Sequence, residues 1–190
     1  MMRVNRLSLL GGLAAWLFLC GVLSADEIGD DLATVSKVGP GGRGSAAART
    51  ATRRLSRSGL ELLPRLLESM DTDNIVAANW YRSVYETITR RELARDPVPE
   101  FPVSLLKTYI TNPRRVGRAR RLVLDLMERL EPGTTRSLVP GLLDDPEFRD
   151  DAVTAALSGG DRAKQAGRSA EAIAEYRKAF RAARNPAQVG

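Results

Sequence analysis

Between residues 62 and 157 the chain repeats one pattern: a short apolar segment, a turn rich in Asp, Asn and Pro, and a second, longer segment. Leu63, Leu66, Leu67 and Met70 stand at offsets 0, 3, 4 and 7, and Ala77, Tyr81, Val84 and Ile88 at 0, 4, 7 and 11. Val116, Ala119, Val123, Leu126 and Leu130 follow at 0, 3, 7, 10 and 14. Such spacing lines up apolar side chains along one face of a 3.6-residue helix. Beyond the repeats, Ala172, Ile173, Tyr176, Ala179, Phe180 and Ala183 continue it. No convincing run of alternating residues suggests a strand, so the expected fold class is all-α.

Punctuation at 71–74, 96–102, 112–113, 132–133, 144–146 and 158–161 separates the expected helices. Asp, Asn, Thr and Ser at these places suit N-caps, and Pro suits a first helical turn. Upstream, residues 26–38 are expected to form one short helix, with Ile28, Leu32 and Val35 at helical spacing. A glycine-rich stretch at 39–45 then reads as a flexible connector. Its glycines are spaced as in a phosphate-binding loop, but Ser45 stands where that loop needs lysine and no strand precedes it.

The N-terminus has the order of an export signal: Arg3 and Arg6, an uncharged apolar run over 7–23, then Val22-Leu23-Ser24-Ala25 before Asp26 and Glu27. Cleavage is expected after Ser24 or Ala25, making the protein periplasmic or extracellular. Two alternatives stay open. The run is near the roughly 18-residue minimum for a membrane span, so an uncleaved anchor would tie the chain to the membrane. Cys20 would be the site of a lipid anchor, although Leu19 before it is larger than bacterial lipidation sites usually carry. Removal of residues 1–25 takes Arg3 and Arg6 and lowers the formal charge from +6 to +4.

Cys20 is the only cysteine and there is no histidine. The processed chain therefore has no disulfide, no imidazole base and no His or Cys metal ligand, which excludes a Ser-His-Asp triad and zinc chemistry of the usual kind. No cofactor or metal is expected, and the chain reads as a non-enzyme.

Pro64, Pro102 and Pro140 recur at intervals of 38, each opening or lying early in a short leucine-bearing helix. A two-helix period near 40 is that of an α-solenoid. The stretch 138–152, Leu-Val-Pro-Gly-Leu-Leu-Asp-Asp-Pro-Glu-Phe-Arg-Asp-Asp-Ala, resembles a HEAT repeat, with Phe148, Arg149, Ala152 and Ala155 at the second helix's positions. The resemblance implies that Asp144 or Asp145, together with Arg149, stabilises the stack of neighbouring units. The units at 62–88 and 102–130 match more loosely: Ala77 stands at the arginine position of the first, and Gly117 or Arg118 lies near that of the second. Residues 163–185 resemble one tetratricopeptide unit, with Gly167 at its inter-helix glycine and Ala172, Tyr176 and Ala179 in its second helix. One such unit cannot bury both faces, so it is expected to dock on the array or to lead into a longer protein.

The expected organisation is a signal peptide at 1–25, a short helix and glycine-rich linker at 26–45, HEAT-like hairpins at 46–157, and a tetratricopeptide-like hairpin at 158–190. A tandem of this kind is similar to exported bacterial repeat proteins. The resemblance implies a scaffold for a protein partner and brings no catalytic residues; the alternatives are an N-terminal accessory region of a larger exported enzyme or binding protein, and a binder of anionic polymer through an arginine stripe.

Arg114, Arg115, Arg118, Arg120 and Arg121 crowd eight positions. On one continuous helix Arg114, Arg118 and Arg121 would share a face, either as an anion-binding stripe or as a solvated outer surface balanced by Asp125 and Glu128. An export signal argues against nucleic acid as the partner. Trp80 and Tyr81 are the bulkiest adjacent pair and are expected in the core or a groove; exposed, either would be a partner anchor. The run at 71–74 starts like a calcium loop but lacks its glycine and its twelfth-position glutamate. Asp144, Asp145, Asp150 and Asp151 fall on a turn and a first helical turn, where acidic residues complement the helix dipole.

Overall fold

The computed structural model describes residues 25–184. The expected signal, with Cys20, therefore lies outside the described residues except for Ala25. Among the described residues the protein is all-helical, with no strand. The helices are α1 (Ala25–Ser36), α2 (Ser45–Leu55), α3 (Leu63–Met70), α4 (Ile75–Leu93), α5 (Val103–Thr111), α6 (Gly117–Leu130), α7 (Thr134–Leu138), α8 (Arg149–Gln165) and α9 (Ser169–Ala182).

Consecutive helices pack in pairs: α1 with α2, α3 with α4, α5 with α6, and α8 with α9. The periodic residues of α3 and α4 are all buried, and so are Ala119, Val123 and Leu126 of α6, with Val116 and Leu130 packed against the same core. One continuous core runs from Leu32 in α1 to Ala152 in α8. A second, smaller cluster consists of Val153, Ala156, Ala179 and Ala182.

The N-terminal segment belongs to that main core. Val35 and Val38 are buried, and α1 contacts α3 and α4 as well as α2. The glycine-rich stretch is the turn of an α1–α2 hairpin, containing a 3-10 turn at Pro40–Gly42. It is pinned where Asn74 donates its side-chain amide to the carbonyls of Ser36 and Val38, at 3.1 and 2.7 Å. Asn74 at the same time caps α4, its Oδ1 accepting from the amides of Val76 and Ala77. Gly44, immediately before α2, has φ 74°, a left-handed conformation that side-chain-bearing residues adopt only at a cost. At the other end of this pair Arg91 of α4 donates to the carbonyls of Ser56 and Ser58 just past α2, and is itself braced by Glu92.

Three expectations about the repeats need correction. Pro64 and Pro102 do sit at the starts of α3 and α5, but Pro140 lies in a 3-10 turn, Val139–Gly141, that closes the first helix of its unit. The break expected at 158–161 is absent: α8 continues through Gly159 and Gly160, so one helix serves both the third unit and the last hairpin. The reason is local. A Cβ on Gly160 would lie 2.5 Å from the Tyr176 ring of α9, so the glycine admits that ring instead of ending the helix. Finally, the apolar stripe of α9 is split. Ala172, Ala179 and Ala182 face α8, whereas Ile173 and Phe180 are 50% and 74% exposed.

Candidate interaction surface

Carboxylates in the turns join consecutive pairs of helices. Asp71, just after α3, accepts from the Arg115 guanidinium at 2.6 Å, the Val116 amide at 2.9 Å and the Tyr109 hydroxyl at 3.1 Å. The α5–α6 pair thus grips the turn between α3 and α4. Asp145, before α8, takes both arms of the Arg120 guanidinium at 3.0 and 2.6 Å, and the amides of Glu147 and Phe148. Arg120 also donates through Nε to the Ile110 carbonyl of α5 at 2.6 Å. Its side chain is 1% exposed. An ion pair this deeply buried holds because all three guanidinium nitrogens and both carboxylate oxygens have a partner; losing one partner strands the other charge, at about 3–5 kcal/mol. Burial by itself would raise the Asp145 pKa, but the Arg120 fork and the two amides outweigh it and hold the carboxyl below its ordinary value.

Arg120 and Arg121 both lie over the Phe148 ring, with guanidinium carbons 4.9 and 5.1 Å from its centroid. Arg121 pairs with Glu147 and Asp151 and donates to the Glu147 carbonyl at 2.5 Å. Gly117 opens α6 where a Cβ would collide with the Glu147 carboxylate, so any other residue there would make Glu147 shift from its place beside Arg121. Arg149, assigned to the stacking ladder by the resemblance, bonds only backbone carbonyls of the turn just before it, Leu143 at 3.3 Å and Asp144 at 3.2 Å. Asp144 is exposed. The turn is therefore tied to the preceding unit by Asp145 and Arg120. The arginine of α6 that reaches the Asp145 carboxylate is Arg120, whereas Arg118 donates to the Thr72 carbonyl.

The five arginines do not form one helical face. Val116 is extended (φ −61°, ψ 124°) and α6 begins only at Gly117, leaving Arg114 and Arg115 in the turn. Arg115, Arg120 and Arg121 are paired with carboxylates. Arg118 donates to the Thr72 carbonyl at 3.0 Å, and Arg114 is exposed. The side chains are in large part mortar between units. Tyr81 is buried, its hydroxyl donating to the Leu32 carbonyl at 2.7 Å, and burial pushes its pKa up to about 12. It is a core residue. Trp80 is half-buried and packs against the main core.

Sequence reasoning overlooked a groove of about 800 Å³ between α6, α7 with its following 3-10 turn, and α8. Leu124, Val139, Pro140 and Ala155 contribute its apolar lining, and Arg136, Arg162, Asp125 and Asp151 its charged lining. Arg136 interacts electrostatically with the Glu128 carboxylate. The missing signal was distance: Arg136 and Arg162 are far apart in sequence and line one groove only because α8 packs against the 3-10 turn that follows α7. Glu128 helps to place α7 by accepting from the amides of Gly133 and Thr135, at 2.7 and 2.8 Å.

No group of acidic, His or Cys side chains suited to a metal is found among the described residues, and none of their helices is long and apolar enough to cross a membrane. Compared with protein families, curated proteins and solved structures, the chain matches none.

Proposed function

We propose that this protein is a non-catalytic scaffold, an α-solenoid of helical hairpins that acts outside the cytoplasm and holds a protein partner in the groove between α6, α7 and α8. The observation carrying this reading is the groove itself. It is large enough for several side chains, most of its surface is apolar, and charged groups of both signs line it, Arg136 and Arg162 together with Asp125 and Asp151. That combination suits an extended segment with apolar anchors and charged side chains between them. Consecutive hairpin packing and the Asp71 and Asp145 crosslinks support the solenoid, since these two turns are both bonded to the α5–α6 pair. The order of charges and apolar residues over 1–25 supports export.

The test is capture from a cell-envelope extract by the full chain, set against an Ala155→Trp variant that fills the groove. One partner retained by the parent chain and lost by the folded variant is the expected result. An empty capture across salt and detergent conditions, or equal capture by both chains, overturns the proposal. A secreted product with the mass of the chain lacking residues 1–24 or 1–25 would support the export reading, and an unprocessed product would count against it. The anionic-polymer alternative, using Arg114, Arg118 and Arg121, has less to rest on because Arg118 and Arg121 already bond within the protein. Salt-dependent retention on heparin that depends on these three residues would revive it.

A further inference from the structure

The outer face of α9 carries the largest exposed apolar side chain among the described residues. Phe180 is 74% exposed and Ile173, two turns earlier, 50%. They are seven residues apart, about 10.5 Å along the helix at 1.5 Å per residue, and so share a face. Arg177 stands between them and Arg181 follows beside Phe180; neither guanidinium has a carboxylate partner among the described residues. The acidic residues of α9 are already used, Glu171 by Arg168 and Glu175 by Lys178. The opposite face is occupied, because Ala172, Ala179 and Ala182 are packed on α8. What remains is an exposed apolar–cation–apolar strip.

We infer that this strip is a second docking surface, separate from the groove, for an acidic amphipathic helix: two apolar residues about two turns apart with a carboxylate between them. Charge complementarity selects this occupant. The partner's apolar residues cover Ile173 and Phe180 while its carboxylate meets Arg177. A second copy of this chain is disfavoured by the same residues. Whether two α9 helices lie parallel or antiparallel, aligning Ile173 and Phe180 brings Arg177 close to its own counterpart, cation against cation. A membrane surface is disfavoured because only two large apolar side chains point outward, with Ala170 and Ala174 beside them. The inference shares with the scaffold reading only the class of partner, protein, and uses none of the groove residues.

A synthetic alanine-based helical peptide with two leucines seven positions apart and two glutamates between them is the probe, titrated against the full chain by fluorescence anisotropy. Saturable binding is expected, weakened by roughly tenfold or more in Arg177→Glu and in Phe180→Ser. A peptide with lysines in place of the glutamates is expected to prefer Arg177→Glu. Because these residues are exposed, the variants keep the fold, which circular dichroism checks. Ala155→Trp leaves probe binding unchanged, so a failure of the groove proposal and a failure of this one read out separately. Absent binding, or equal binding by Arg177→Glu, overturns the inference. So does a dimer in light scattering that Phe180→Ser dissolves, or sedimentation with anionic phosphatidylglycerol vesicles that Phe180→Ser abolishes while peptide binding is absent.

Discussion

The body of the protein, from α1 to the first turn of α8, and its last hairpin, α8 with α9, are both built from paired helices but held by different side chains. The body buries leucines, tyrosines and Phe148, and locks its turns with Asp71–Arg115 and Asp145–Arg120. The last hairpin buries mainly alanines and lets Tyr176 lean on Gly160. A fully buried leucine contributes about 1.5–3 kcal/mol and an alanine considerably less. Close approach of two small-residue faces gives good fit with little apolar area. The difference teaches that similar helix geometry can conceal very unequal resistance to opening.

The largest expected effect lies in the body. Arg120→Ala should lower unfolding stability by about 3–5 kcal/mol in urea titrations, because Asp145 loses its partner while remaining buried. A loss below about 1 kcal/mol would break the claim that matched charges lock this region. Next comes Gly160→Ala, which forces a methyl group into the Tyr176 ring and should cost about 1–3 kcal/mol. Hydrogen exchange should register it in α9 amides while leaving those of α3 and α4 as protected as before.

Acidification tests the locks a third way. Glu92 is held below the ordinary carboxylate range, first by its hydrogen bond to Arg95 and then, against the opposing effect of burial, by Arg91. Asp145 is depressed as described above. Groups lowered in this direction stabilise the fold fully above their unfolded values, about 4, and stop doing so as pH falls through their folded ones. The urea midpoint should therefore be flat from pH 7 to about 5 and fall below about pH 4, with a shallower fall in Asp145→Asn measured against its own midpoint at neutral pH. The smallest effect is reserved for the exposed strip: Phe180→Ser should change stability by less than about 0.5 kcal/mol, since its ring packs on little.

Helices in the body were legible because leucine and tyrosine spacing is unambiguous where burial is deep, as along Leu63 to Met70. The end of α8 was misread because Ser158-Gly159-Gly160-Asp161 has the composition of a turn, and only contact with Tyr176 explains glycine within a helix. Arg120 was read as one charge among five. It lies at offsets 3, 4 and 7 from Val123, Leu124 and Met127, which places it on the buried side of α6. Its role as the crosslinking arginine depended on a carboxylate from the next unit, and short-range spacing carries no trace of that. On α9 the expected stripe mixed two faces, because alanines and large apolar residues score alike although alanine alone permits a close helix pair.

Since α8 runs unbroken for 17 residues, about 25 Å, it behaves as a crossbeam shared by two frames. One end of the beam carries α9, and at the other Phe148 rests beneath two guanidiniums of α6. The outermost helix and the joint with α6 are thus two ends of a single element.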